Sequence, residues 1–542
     1  MGRSGIKSFA LVVGGTLVVA CGAAGCGGSS TQNPAPSGAA SAAGSTSGAA
    51  APTGKPVRGG KLVLGVDSEP VGFDPATDVV PSPGSASITD AVFDTLTAPT
   101  KDGSYQPYLA KSITPNADST VWTIGLRPDL KFADGTPIDA AAVKANLDRQ
   151  KLHGFQGFPD MKSATVVDPL TVKVTMNNAW GSFPAALASQ RGWIYSPTAV
   201  KKLGKAFSAH PVGSGPFEVE KWTRGSSILL KRNPNYWRKG LPYLDQVEFR
   251  IIPDDSARLD ALKSGDLDSA QIASKDISTL STGDFHVQQA TAYVDLLYLN
   301  TTKPPLDNVN VRRALAYALN RKAIINTAWA GVGPVADGPG APTNPYAAKV
   351  NFPSDDQAKA KQLVAGYGKP VDVTLSSQND PTSQLFAQSV QSMWKSAGIN
   401  AKLASPSEAG AHADQVIGGK YQAATFGFPP FLDPDSWWSQ IIASKGAINV
   451  MHYKDPIIDA ALAKAHSLSD TNARKAQYAI IERRMADQVY AIFVHGDVVA
   501  EGAAADVGGL GGMTLPEGQP APWGQEYRIP FNTDSMWKQP AN

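Results

Sequence analysis

Cysteine is almost missing from this sequence. The 542 residues contain two, Cys21 and Cys26, and both lie close to the amino terminus. A disulfide or a thiolate metal site in the rest of the chain is therefore excluded. Histidine is also scarce, and none of the seven pairs with another at the His-Glu-x-x-His spacing of a helical zinc site. We predict no metal ligand and no cofactor.

The sequence also lacks an excess of charge and a catalytic motif. Lys and Arg total 49 and Asp and Glu 47, and Arg3 and Lys7 alone account for the net charge of +2. Such a balance does not favour nucleic acid as a partner. There is no G-x-x-x-x-G-K-[ST] phosphate loop and no G-x-S-x-G nucleophile elbow. We predict that the protein is not an enzyme, and a secreted hydrolase is the alternative from another class.

Long hydrophobic runs are absent as well. The mostly apolar stretch Phe9 to Ala20 is shorter than the roughly 20 residues of a transmembrane helix. It follows a basic start and precedes Cys21 and Cys26, each behind small residues, which resembles the lipobox of bacterial lipoproteins. We predict a lipoprotein signal peptide over residues 1–26 with acylation at Cys21, or alternatively at Cys26. A simple cleaved signal is the other interpretation.

The segment after the signal has the composition of a linker. Residues 27–54 consist only of Gly, Ser, Thr, Gln, Asn, Pro and Ala, which cannot bury enough apolar surface to fold. We predict a flexible tether over residues 27–56. It would hold the protein at the cell membrane by its lipid, facing the extracytoplasmic side.

From Gly59 onward, short apolar strands alternate with helices, which predicts an α/β protein. Strands are expected at 61–66 and 121–126, and a helix capped by Ser256 should bury Leu259 and Leu262. The stripe from Leu385 to Ala397 predicts a helix over 381–397 between strands at 371–376 and 399–404. Such a β-α-β unit calls for parallel strands.

Several segments resemble the extracellular solute-binding proteins that serve dipeptide and oligopeptide importers. They occur in the family's order over residues 59–500: Asp90–Leu96, Trp122–Arg127 with Lys131–Pro137, Pro211–Phe217, Arg232–Trp237, Phe249–Asp268, and Leu299–Leu306 with Val311–Leu315. The resemblance implies two α/β lobes with a hinge and an extra subdomain inserted in the first lobe. The protein would be the substrate-binding component of an ABC importer and would work as a monomer with separate permease and ATPase subunits. A sensor or orphan binding protein without a transporter is the alternative.

The resemblance also implies the domain boundaries. Lobe 1 would span 57–300 with the inserted subdomain at about 100–205, lobe 2 would span 301–490, and residues 491–542 would return to lobe 1. The two hinge crossings are expected near 290–303 and 488–498. A ligand would be enclosed between the lobes by closure.

The charged groups that hold free peptides in this family are missing from the matching positions. The aspartate that binds the ligand's amine is replaced by Pro430, and no arginine follows the strand at 371–376. Since a buried zwitterion needs opposite charges, we predict a ligand held by stacking and neutral hydrogen bonds, such as a modified peptide, an oligosaccharide, a siderophore or haem.

Candidate ligand-binding residues come from three places. Phe73 and Asp74 follow the first strand, where open α/β sheets present ligands, and Asn379 follows the strand at 371–376. The remaining candidates belong to an aromatic, proline-rich segment over 426–438: Phe428, Phe431, Asp433, Trp437 and Trp438. The alternative for this segment is that its aromatic side chains pack the core of the second lobe.

Overall fold

The computed structural model describes residues 46–48, 55–78, 82–152, 157–280, 283–428, 432–511, 513–522 and 531–540. Cys21, Cys26 and Phe431 lie outside the described residues. In the part of the chain that is described, no helix combines the length and the apolar character needed to cross a bilayer.

The strands and helices alternate along the chain. The strands are β1 Thr46–Gly48, β2 Lys61–Val66, β3 Thr97–Pro99, β4 Tyr105–Pro107, β5 Ala110–Pro115, β6 Val121–Leu126, β7 Met161–Asp168, β8 Thr171–Met176, β9 Phe217–Thr223, β10 Ser227–Arg232, β11 Gln246–Ile251, β12 Ser269–Ile272, β13 Phe285–Leu299, β14 Asp372–Ser376, β15 Asn400–Leu403, β16 Ala423–Phe428, β17 Ala491–Ala504, β18 Val507–Gly508 and β19 Trp537–Lys538. The helices are α1 Pro83–Asp90, α2 Ala140–Lys151, α3 Phe183–Ala188, α4 Pro197–Leu203, α5 Asp255–Lys263, α6 Val309–Tyr317, α7 Arg321–Ala328, α8 Gln357–Tyr367, α9 Pro381–Ser396, α10 Ala409–Ile417, α11 Asp435–Ile441, α12 Pro456–Ser467 and α13 Thr471–Gln488.

Two long antiparallel strands, β13 and β17, form the middle of the main sheet. The strand order is β15-β14-β16-β13-β17-β12-β2-β11-β10-β9, and outside this order β1 pairs with the start of β13. The carboxyl half of β13 pairs with β16, whereas the carboxyl half of β17 pairs with β12. The β13–β17 register shifts between Thr291 and Val294 and again after Asp295. Such irregularities bend a strand pair, and they lie where the sheet passes from one group of strands to the other.

The chain forms two lobes on either side of this strand pair. Residues before β13 and after β17 build one hydrophobic core, which includes Leu64, Phe93, Phe249 and Met536. Residues between the two strands build another, larger core. The predicted two-lobed α/β fold is confirmed.

Within the first lobe, the antiparallel sheet β5-β6-β8-β7 has its own core. Helix α2 covers this sheet and begins after Asp139, whose side chain accepts a hydrogen bond from the Ala142 amide as its N-cap. Trp122 and Trp180 lie in this core, and the indole of Trp122 donates to the Trp180 carbonyl. The sheet and helix form the subdomain that faces the second lobe.

The β14-α9-β15 unit forms as the sequence predicts, with parallel strands on both sides of the helix. Asp380 caps α9, and Gly398 ends it with a φ of +84°. Leu385 is an exception to the predicted apolar stripe: it is 41% exposed, because the buried face of α9 runs along Phe386, Val390 and Trp394.

Helix α5 also forms where the sequence predicts it, but its cap differs. The side chain of Asp254, rather than that of Ser256, accepts the hydrogen bond of the first turn. The helix therefore begins two residues earlier than expected, and an aspartate is an equally good N-cap. Leu259 and Leu262 are buried, as predicted.

Candidate ligand site between the lobes

Phe73 and Asp74, which follow β2, make their contacts inside lobe 1. Phe73 is 1% exposed, and its ring meets the edge of Trp222 at 5.1 Å. Asp74 accepts two hydrogen bonds of 2.6 Å from the guanidinium of Arg149. Burial alone would raise the pKa of Asp74, but the bonds from Arg149 outweigh it, so the pKa is lowered and the carboxylate stays charged. Both side chains thus have their partners within the lobe.

The aromatic segment mainly packs the second lobe. Phe428 is 2% exposed at the end of β16, and Trp438 is 3% exposed with its ring edge-on to Tyr478 at 5.2 Å. Trp437 is half-buried and packs against the same core. Of the aromatic side chains predicted to bind ligand, Trp437 therefore keeps the most accessible surface in the part of the chain that is described.

Asp433 forms a buried ion pair that the sequence prediction missed. Both of its oxygens accept hydrogen bonds from Arg474, and the two side chains are 2% and 4% exposed. Burial lowers the pKa of Arg474, but the Asp433 carboxylate outweighs this and raises it well above the ordinary value. Arg474 also donates to the hydroxyls of Tyr346 and Tyr478. The pair ties the loop before α11 to α13 inside the lobe.

A sequence signal for Arg474 does exist. It lies on one face of α13 with the buried residues Tyr478, Ile481 and Met485, so an arginine interrupts an apolar stripe at helical spacing. A carboxylate partner compensates the charge of a buried arginine. The sequence does not identify which one, because Asp433 is 41 residues away.

Asn379 is exposed in the loop that follows β14. Its side-chain amide donates to Glu408, and its backbone amide donates to the Ser407 carbonyl at 3.0 Å. These bonds hold the loop after β14 against the loop after β15. None of them joins Asn379 to another predicted site residue.

The faces of the two lobes touch through the inserted subdomain. The amide of Gly181 donates to the His466 carbonyl of the second lobe at 2.7 Å. A Cβ at Gly181 would lie 2.0 Å from the backbone of Leu468, so only glycine permits this approach. Lys475 donates to the Asp102 carbonyl at 2.9 Å. The two lobes are therefore in direct contact in this structure.

His466 lies at the centre of this contact. Its ring stacks on Trp180 of the subdomain, with centroids 5.6 Å apart and planes 22° apart. Its Nδ1 is 2.9 Å from Asp435 and its Nε2 is 3.4 Å from Asp160. Ser182 of the subdomain donates to the same Asp435 oxygen at 2.6 Å.

One group of described side chains has donor types suited to a metal. Ligand atoms of Asp295, His495 and Asp497 lie within 4.8 Å of one another on the paired strands β13 and β17. Both ring nitrogens of His495 already have partners, since Nδ1 is 2.8 Å from Asp295 and Nε2 is 2.8 Å from the Val332 carbonyl. These bonds join the two crossing strands to the loop after α7.

Two cavities among the described residues lie away from the contact between the lobes. One, of about 50 Å³, is inside lobe 1 and is lined in part by Asp90, Phe93 and Asp534. The other, of about 350 Å³, is a groove at the outer sheet edge of lobe 2, beside Pro305 and Lys402. Binding by closure would use neither.

Comparisons with known proteins agree with this geometry. The model of the bacterial extracellular solute-binding proteins, family 5 Middle, matches residues 104–449. The chain belongs to this family. Members are solute-binding proteins rather than enzymes, so the predictions of the family and of a non-enzyme are confirmed. This solute-binding protein accordingly functions as a substrate-binding component for ABC transport.

Individual relatives of this solute-binding protein differ in what they bind. The glutathione-binding protein GsiB of Salmonella typhi is 31% identical over 440 residues, covering 77% of this chain and 85% of the relative. The structure of AgaA from A. tumefaciens R10 with agropinic acid has a TM-score of 0.73 at 25% identity and covers 89% of this chain and 99% of that one. AppA of Bacillus subtilis, bound to a nonapeptide, has a TM-score of 0.73 at 22% identity and covers 90% and 100%.

Proposed function

We propose that this protein is the lipid-anchored binding component of an importer, and that it closes its lobes on a peptide or peptide-like solute for delivery to a membrane permease. The observation that carries the proposal is the division into two cores joined by β13 and β17, with polar contacts where the lobes meet. Hinge closure around a ligand needs such an arrangement, because the hinge must bend while each core stays intact.

The proposed ligand class rests on the ligands named for similar proteins and on two carboxylates that are already paired with arginines. GsiB is named for glutathione, which is a tripeptide, and AppA was solved with a nonapeptide. In this chain Asp74 is paired with Arg149 and Asp433 with Arg474, so neither carboxylate is available for a free amine. We therefore propose a peptide-like ligand held by neutral hydrogen bonds, with Trp437 and Asn379 among its contacts.

The tether, residues 27–56, is proposed to connect a lipid at Cys21 or Cys26 to lobe 1. Within it, Thr46–Gly48 pair with His286–Gln288 at the start of β13. A flexible chain of about 20 residues has a reach of about 25 Å. Lobe 1 would then stay close to the membrane while lobe 2 moves. In this proposal lobe 2 spans residues 301–490.

Gly181→Ala tests closure without disturbing either core. The added methyl group would meet Leu468 of the other lobe, so it should block the closed form and leave each lobe folded. Gly366→Ala in α8 is the matched control, because nothing lies within 4 Å of a Cβ at that position. We expect Gly181→Ala to lose at least tenfold in affinity with an unchanged melting temperature, whereas the control binds like the wild type.

The assay is calorimetry with glutathione, free dipeptides and peptides blocked at both ends. We expect blocked peptides to bind more tightly than free dipeptides, because a site without charged partners cannot compensate a buried zwitterion. Micromolar binding of free dipeptides would contradict the ligand class. Equal affinities of Gly181→Ala and the wild type would contradict binding by closure.

A further inference from the structure

His466 is held between two carboxylates that belong to different lobes. His466 lies in the last turn of α12, and Asp435 lies at the start of α11; both helices belong to lobe 2. Asp160 directly precedes β7 in the inserted subdomain of lobe 1. The three side chains are 26%, 9% and 26% exposed, respectively. The contact joins the two lobes, so a movement that separates them would break it.

The geometry favours a charged imidazole. Nδ1 of His466 is hydrogen-bonded to Asp435 at 2.9 Å, and Nε2 faces an Asp160 oxygen at 3.4 Å. A neutral histidine has only one N–H, whereas the imidazolium presents an N–H and a positive charge to both carboxylates. A cation at a helix carboxyl terminus also interacts favourably with the helix dipole.

The neighbouring groups leave the two carboxylates negative. Ser182 donates to Asp435, and Asn178 donates to Asp160 at 3.2 Å. Arg474, the cation that acts on Asp435 from α13, is itself paired with Asp433. Burial lowers the pKa of His466, but Asp435 and Asp160 outweigh it and raise the pKa to about 10. The pKa of Asp160 is lowered, mainly by its bond with His466.

We propose that His466 couples lobe closure to a proton: the closed form holds His466 as imidazolium between Asp435 and Asp160, and loss of that proton favours opening. This regulation rests on the proposed function, since it presumes that the lobes open and close. On opening, His466 keeps Asp435 but loses Asp160 and the Trp180 ring. The open form therefore binds the proton less tightly than the closed form.

The direction of the pH effect follows from linkage. A group whose pKa is higher in the closed form stabilises that form fully below the pKa of the open form. This stabilisation is lost as the pH rises through the closed-form value of about 10. Closure, and with it the retention of any ligand, should therefore weaken progressively from near-neutral to alkaline pH.

The test needs no ligand, so it can fail independently of the proposed function. Histidine side chains of the whole protein are labelled with ¹³C and titrated by NMR, and His466→Gln identifies the His466 signal. We expect a His466 pKa above 8 in the wild type. It should be at least one unit lower in Asp160→Asn, which removes one carboxylate charge, and in Gly181→Ala, which separates the lobes.

Small-angle scattering of the same samples reports the shape. The radius of gyration of the wild type should increase between pH 7 and pH 10, and that of His466→Gln should stay constant. The same His466 pKa in the wild type and Gly181→Ala would overturn the proposal. So would a radius of gyration that does not change with pH, or one that changes equally in His466→Gln.

Discussion

Removing one partner of the Asp433–Arg474 pair should destabilise lobe 2 strongly. In Asp433→Asn, Arg474 would remain 4% exposed without its carboxylate, and it would keep the hydroxyls of Tyr346 and Tyr478 and the Ala465 carbonyl as partners. Breaking a buried pair from one side costs about 3–5 kcal/mol. For a lobe of this size each kcal/mol lowers the melting temperature by about 2–4 °C. We therefore expect a decrease of about 6–20 °C.

The melting temperature is measured by scanning calorimetry, with Asp414→Asn as the control. Asp414 is exposed on α10, so this variant makes the same change of charge without breaking a buried pair, and its melting temperature should be that of the wild type. The double variant Asp433→Leu/Arg474→Leu should be less destabilised than Asp433→Asn, because it leaves no charge buried alone.

The same variant distinguishes a structural carboxylate from a ligand-binding one. If Asp433→Asn kept the wild-type melting temperature and lost ligand affinity, Asp433 would face the ligand, as the sequence analysis predicts. The reasoning from the buried pair would then be refuted. A large loss of stability in Asp433→Asn, with affinity retained at low temperature, would assign Asp433 to the framework of lobe 2.

Three further variants test other parts of the structure. Burial raises the pKa of Glu482 to about 8, so near neutral pH its carboxyl is protonated in the folded state but ionised in the unfolded state. At pH 9 the folded state must bury the ionised carboxylate, so Glu482→Gln should raise the melting temperature at pH 9 but hardly at pH 4. Thermal unfolding at several pH values measures this. Gly213→Ala would place a Cβ 1.9 Å from the Val92 carbonyl oxygen and should lower the urea midpoint of unfolding markedly. Trp394→Phe leaves the buried Leu315 carbonyl without its 2.9 Å bond, and should cost about 1–3 kcal/mol in the same urea titration.

The sequence predicts the elements of this fold better than its site. Strand β6 and the β14-α9-β15 unit follow from patterns that repeat within a few residues, and structure and sequence agree there. The Gly213–Gly215 turn is structural, because a Cβ at either glycine would overlap the backbone of Val92. Short-range pattern and steric limits are sufficient for such predictions.

The partners of the candidate site residues could not be predicted in this way. Arg149 is 75 residues from Asp74, and Arg474 is 41 residues from Asp433, so each carboxylate looks available until the chain is folded. An aromatic residue in a proline-rich segment has the same sequence signature on a cleft wall and in a core. Phe428 and Trp438 belong to the core because β16 and α11 lie inside lobe 2, which depends on long-range pairing.

The distribution of apolar and polar groups also bears on how the protein releases what it binds. The large apolar side chains pack within each lobe, whereas the hydrogen bonds and ion pairs described between the lobes are made by Ser182, His466, Lys475 and their partners. Burying apolar surface contributes about 25 cal/mol per Å², so an apolar interface would keep the lobes closed without a ligand. Polar groups can exchange their partners for water at little net cost. The balance between the closed and open forms then depends on a few polar contacts, so the charge on His466 or a ligand that touches both lobes can shift it. A ligand does so only by its difference in affinity for the two forms.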